Sequence, residues 1–184
     1  MCSSDLGRSD LLRLVKAARA ANADLLLVGG HFDESIAVRR AINALEWSSI
    51  AHYATIGPAL SRYGSKLGPN ANLTFTSSIW EPGLRRGGSE EFEEAFASAY
   101  DVAPSYHAAS AYAACHVLEA AVKRAGSFDN VKLHRALYEV DVPTVIGRYR
   151  VDNRGMQGRL PLIVQWQSGK REIVWPLNLK TARS

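Results

Sequence analysis

Leu11, Leu14, Val15, Ala18 and Ala21 recur at steps of three and four residues, which predicts a helix from Ser9 with one buried face and Ser9 or Asp10 at its first turn. Leu25-Leu26-Leu27-Val28 follows as a continuous apolar run stopped by Gly29-Gly30, the pattern of a strand buried on both faces of a parallel sheet. Asp33 is placed to cap a helix whose Ile36, Ala37, Ala41, Ile42 and Leu45 share a face. Ser49 to Thr55 reads as a second strand, Pro58 to Leu67 as a short helix opened by proline, and Leu73 to Trp80 as a third strand. Strands and helices in alternation imply a doubly wound α/β layer with right-handed crossovers.

The texture changes at the breaker-rich stretch from Glu81-Pro82-Gly83 to Gly87-Gly88. Three helices are predicted beyond it, Ser89 to Tyr100, Ser105 to Ala125 and Val131 to Val140, with little strand between them, so a domain crossing falls at about residue 82. The last forty residues turn to strand: Val145 to Val151, a turn at Asp152-Asn153-Arg154-Gly155, then Leu162 to Gln167 and Glu172 to Trp175 as an antiparallel hairpin about Ser168-Gly169-Lys170.

Composition narrows the function classes. With 47% hydrophobic residues the chain can build a core, which excludes disorder. The longest apolar candidate, Ala108 to Val122, is interrupted by His116 and Glu119, so no segment reads as a membrane span. A net charge of +4 from 22 basic and 18 acidic residues, with no basic stripe interleaved with aromatics, argues against nucleic acid. Cys2 and Cys115 form neither a disulfide framework nor a metal-ligand spacing, and Cys115 in its Ala-rich helix reads as a small buried thiol. Met1 to Leu6 fits no signal peptide. Cys2-Ser3-Ser4-Asp5-Leu6 is what a common sequencing-adapter end encodes, so residues 1–6 are expected to be non-native read-through.

Catalytic templates are missing: there is no Gly-x-Ser-x-Gly elbow, phosphate-binding loop, dinucleotide fingerprint or His-Glu-x-x-His, and the five histidines lack zinc spacing. Neither catalysis, metal nor cofactor is therefore expected. Position is more informative, because ligands of open α/β sheets bind beyond the carboxyl ends of strands. Gly29-Gly30-His31-Phe32 lies at such an end, where glycines let the backbone approach a ligand and the two rings offer a polar tip and an apolar plate. A tight turn with two half-buried rings is the alternative. Tyr53 and Thr55 close the second strand and Trp80 ends the third, each open to a packing role or a place on a pocket wall.

Taken in order, these segments resemble the branched-chain amino-acid type of periplasmic solute-binding protein, the receptor of an ABC importer. Ala23-Asp24, the strand, Gly29-Gly30 and Arg39-Arg40-Ala41 resemble the first strand-loop-helix of that family's second lobe. Tyr106, Ala108, Ala109, Tyr112, Ala113 and Ala114, then Ala120-Ala121 and Ala125-Gly126, resemble its long Ala-rich helix. Thr144-Val145-Ile146-Gly147, Asp152, Gly155, Gln165 and Gly169 resemble its closing strands.

The resemblance implies the type I periplasmic-binding fold, with residues 7–81 as most of lobe two, 82–159 as the later part of lobe one, and 160–184 as the return to lobe two with a tail. It implies a small-molecule solute held in an inter-lobe cleft, an importer permease as partner, and a periplasmic or lipid-anchored extracellular location. Lacking the earlier part of lobe one, the helices of residues 89–140 are expected to expose an apolar face. His31 or Phe32 would supply an aromatic contact, Tyr106 of the Ala-rich helix is a further candidate contact, and Tyr53 or Thr55 lies near where an acidic residue pairs with a ligand amino group. No Asp or Glu occurs between Trp47 and Trp80. That departure points to amides or aromatic and other carboxylic acids beside amino acids. A ligand-sensing regulator on the same fold, and an α/β hydrolase using a histidine, are the competing readings.

Overall fold

The structure is a computed structural model that describes residues 7–84, 86–158 and 161–182. The six leading residues assigned to read-through lie outside them. The chain divides into two compact units, one running to Ser78 and resuming at Leu162, the other spanning Ile79–Pro161.

The first unit carries α1 (Arg8–Ala20), β1 (Leu25–Val28), α2 (Phe32–Ala44), β2 (Ala51–Ala54), α3 (Ser61–Leu67), β3 (Thr74–Ser78), β6 (Leu162–Gln167) and β7 (Lys170–Trp175). Its sheet has the order β1-β2-β3-β6-β7, the first three strands parallel and the last two antiparallel. The expected closing hairpin is present. Alternation fixes which residues face the helices: Leu26 and Val28 pack with Leu11, Val15, Val38, Ala41 and Ile42 of α1 and α2. Farther along the sheet, Trp166 packs with Ile36, Tyr63, Leu67 and Ala71. Trp166 is fixed at both ends, its Nε1 donating to Pro58 O at 2.7 Å and its ring centroid lying 6.0 Å from that of Tyr63.

The opposite face corrects the reading of β1 as buried on both sides. Leu25 is 62% exposed and Leu27 is 74% exposed, because among the described residues helices α1 and α2 cover only the face that carries Leu26 and Val28. An unbroken apolar run reports that a strand is apolar and says nothing of what covers each face. Helix starts and lengths also shift. The helix expected to be capped by Asp33 begins two residues earlier, with His31 at the cap position, and Pro58 belongs to a separate 3-10 turn, Gly57–Ala59, ahead of α3.

In the second unit, α4 (Ser89–Tyr100), α5 (Tyr106–Ala125) and α6 (Asn130–Glu139) precede a short hairpin of β4 (Val142–Thr144) and β5 (Gly147–Tyr149). This hairpin replaces the single strand expected from Val145 to Val151. Ser105 caps α5 by accepting from Ala108 N at 3.4 Å, and Asp129 caps α6 by accepting from Val131 N and Lys132 N at 3.1 and 3.0 Å. Ala109, Ala113, Val117 and Ala121 form the buried stripe of α5 at four-residue steps. Cys115 lies off that stripe and is exposed, contrary to expectation. Beside the stripe an apolar groove of about 400 Å³ opens along Ala113, Ala114, Val117, Leu118, Ile146 and Tyr149. No helix among the described residues is long and apolar enough to cross a membrane.

Candidate functional site

The carboxyl ends of β1 and β2 are joined by hydrogen bonds that run past the strands themselves. Thr55 N donates to Val28 O at 3.0 Å, carrying the parallel ladder one residue beyond β2. The Thr55 hydroxyl donates to Gly30 O at 2.6 Å and accepts from Gly30 N at 3.0 Å, so both backbone groups of one loop residue are held by one side chain. Fully buried Ser35, in the first turn of α2, offers its hydroxyl to His31 O at 2.7 Å and Thr55 O at 3.2 Å. Three segments, the Gly29–His31 loop, the start of α2 and the end of β2, are thereby stitched together.

Strain is concentrated next to Thr55. Ile56 sits at φ 55°, ψ −65°, and Gly57 N donates back to Thr55 O at 2.6 Å, which makes the rare positive-φ form of the γ-turn. A β-branched residue in that region is an outlier, and such strain gathers where structure serves a site. Gly57 follows because a Cβ there would stand 2.6 Å from Ser35 Cβ. Gly29, by contrast, faces open space, with nothing within 4 Å of where its Cβ would be. The loop is thus anchored at Gly30 and accessible at Gly29.

Of the six residues singled out from sequence, His31 and Thr55 are brought together through Gly30 and Ser35. His31 is exposed, with its backbone N–H donating to the Glu34 carboxylate at 3.1 Å in a helix-capping arrangement. Phe32 is half-buried against the α2–α3 cluster, and the Arg62 guanidinium lies 4.0 Å from its ring centroid. A cation–π contact therefore covers one face of the ring. Tyr53 points along the open face of the sheet and donates to Ser77 Oγ at 2.9 Å, which ties it sideways to β3.

Trp80 and Tyr106 belong to the second unit. Trp80 is only 1% exposed, set edge-on to Phe92 with centroids 5.7 Å apart, its Nε1 reaching Ser89 Oγ at 3.4 Å. It is a core residue, the packing role left open for it, because the chain past β3 turns into the helical core. Tyr106 is half-buried beside that cluster and stacked on His107 at 4.0 Å, and burial raises its phenol pKa. Ser35, Ile56 and Gly57 were missed from sequence. Only Gly57-Pro58, a turn signal directly after an expected strand, hinted at them. Among the described residues no group of histidine, cysteine and acidic side chains is arranged to hold a metal ion.

The comparisons agree with this architecture. The leucine-binding protein LivK of Thermotoga maritima superposes with a TM-score of 0.82 at 20% identity, over 94% of this chain and 49% of its own. LivJ of Streptococcus pneumoniae, the substrate-binding protein of a branched-chain amino acid transporter solved with isoleucine, gives 0.76 at 18% identity, over 89% and 48%. A substrate-binding protein from Desulfitobacterium hafniense, solved with Leu, gives 0.69 at 19%, over 91% and 48%. The chain spans about half the length of these solved relatives, and its fold is that of the type I periplasmic-binding proteins. The family model described as periplasmic binding protein matches residues 3–171, so the chain belongs to the periplasmic binding protein family.

Proposed function

We propose that this chain is part of the solute receptor of an ABC importer, and that the anchored Gly29–His31 loop with Thr55 forms part of its solute site. In this reading the unit containing β1–β3, β6 and β7 is lobe two, and Ile79–Pro161 is the later part of lobe one. The receptor works in the periplasm or on the outer surface of the cell and delivers its solute to a permease.

The observation that carries the reading is the two-way hydrogen bonding of Thr55 with Gly30 beside the open position at Gly29. It presents a preorganised backbone at the carboxyl ends of parallel strands, where α/β sheets take ligands. Binding then needs no covalent chemistry. Solute stabilises the form of the receptor it binds more tightly, and the permease reads that form. The solute class is a small amino acid, amide or carboxylic acid; the lack of any Asp or Glu from residue 48 to 79 weighs toward solutes without an amino group to neutralise.

Calorimetric titration with leucine, acetamide and benzoate tests the proposal. Saturable binding of one of them, weakened by Thr55→Val, is expected. At about 100 times the dissociation constant the bound solute adds about 2.7 kcal/mol to stability. Absence of saturable heat or stabilisation across the set overturns the assignment.

A further inference from the structure

A second cavity, of about 280 Å³, lies in the first unit under the later turns of α2, lined by the segment of residues 47–50 and the starts of β2 and β3. Its walls divide by chemistry. On the helix-covered face of the sheet Ile42 and Trp47 give an apolar side and Arg39 and His52 a polar one, while Phe75 and Gln165 border the cavity from the opposite face, and the lining carries no Asp or Glu.

The polar side is rich in unused hydrogen-bond donors. His52 is 4% exposed, and neither ring nitrogen has a hydrogen-bond partner. Buried polar atoms are nearly always paired, so an imidazole with two orphaned nitrogens on a cavity wall marks a missing partner. The Arg39 guanidinium is held by backbone alone, its Nε donating to Asn70 O at 2.5 Å and its Nη2 to Asn72 O at 2.9 Å. No carboxylate pairs with Arg39 among the described residues. Burial lowers its pKa, as expected for a cation that lacks a counter-charge.

We propose that this cavity is a second ligand site, for a small organic carboxylate whose charge meets Arg39, whose oxygen accepts from His52, and whose apolar body rests against Ile42 and Trp47. Each alternative fails on one wall. A cation meets Arg39, a hydrocarbon leaves His52 unpaired, and inorganic phosphate makes no use of the apolar side. The site is independent of the Gly29–Thr55 region, because it opens at the amino ends of β2 and β3 while that region lies at a carboxyl end.

The test is heteronuclear NMR of the whole protein, following the His52 imidazole and Trp47 indole signals during titration with butyrate, butylammonium and inorganic phosphate. Butyrate alone is expected to shift both signals saturably. Arg39→Gln and His52→Leu are each expected to weaken that binding by roughly tenfold or more. His52→Leu is the safer variant for folding, since it replaces an unpaired buried imidazole by an apolar group of similar size. A folded His52→Leu protein that keeps the Trp47 response to butyrate overturns the assignment, and so does phosphate acting as well as butyrate. Absence of any saturable shift overturns it as well, identifying a merely hydrated cavity.

Discussion

Thr55 and Gly30 exchange two hydrogen bonds through one hydroxyl, which accepts from the glycine N–H at 3.0 Å and donates to its carbonyl at 2.6 Å. The side chain imitates a strand neighbour at a point where the ladder between β1 and β2 has ended. Thr55→Val keeps the shape and removes both bonds, leaving two backbone groups unpaired. It should cost about 1–3 kcal/mol, read as a lower denaturation midpoint. Thr55→Ser should recover most of the loss, whereas equal midpoints for valine and threonine would remove the hydroxyl from the account of this loop.

Gly64 sets helix propensity against packing. In an exposed helix Gly→Ala gains about 1 kcal/mol. Here a Cβ would run into the Trp166 ring, which its bond to Pro58 O and its contact with Tyr63 hold in place. Overpacking of this kind costs about 1–3 kcal/mol. Gly64→Ala should therefore destabilise the protein by chemical denaturation, and a stabilised variant would show that Trp166 yields.

His52 makes stability depend on pH. Burial first, and the Arg39 charge second, lower its pKa from 6.5 to about 4. The folded protein therefore binds fewer protons at this site than the unfolded chain does. The contribution is fully present above about pH 6.5 and is lost as pH falls toward about 4, by up to about 1.4 kcal/mol per pH unit. Denaturation midpoints measured through that window should fall less steeply in His52→Leu. Parallel slopes would place the loss on other groups.

The two faces of the sheet should respond differently to truncation. Ile42, buried between α1 and the sheet, should cost about 2–5 kcal/mol as alanine. Leu27, at 74% exposure, should stay within about 0.5 kcal/mol. Its replacement by lysine should lower association of the chain, measured by sedimentation, because exposed apolar patches drive self-contact. A large loss of stability at Leu27 would mean that its face is covered in solution.

Legibility in the sequence followed the range of the interactions. The hairpin of β6 and β7 and the long helix α5 could be read because alternation, the Ser168-Gly169 turn and the Ser105 cap are local signals. The exposure of Leu25 and Leu27 could not, since it depends on which element lies over the sheet. The hairpin of β4 and β5 was hidden because three-residue strands broken by Pro143 and Gly147 leave too short a pattern. Within the candidate site, Thr55 was legible as a hydroxyl at a strand end. The strained turn at Ile56 was invisible, because a β-branched residue is the opposite of a positive-φ signal, and Ser35 reads as an ordinary polar residue until the fold carries it under Thr55.

Strand β3 ends at Ser78, and its last residue is in register with Leu162, the first residue of β6. The path therefore leaves the first unit and returns to it at two positions facing each other across one antiparallel pair, about 5 Å apart at Cα. Everything from Ile79 to Pro161 is, topologically, the loop of a β-hairpin grown to the size of a domain. A two-residue turn closes a gap of that size, so the pairing of β3 with β6 places no geometric limit on the length of chain between them.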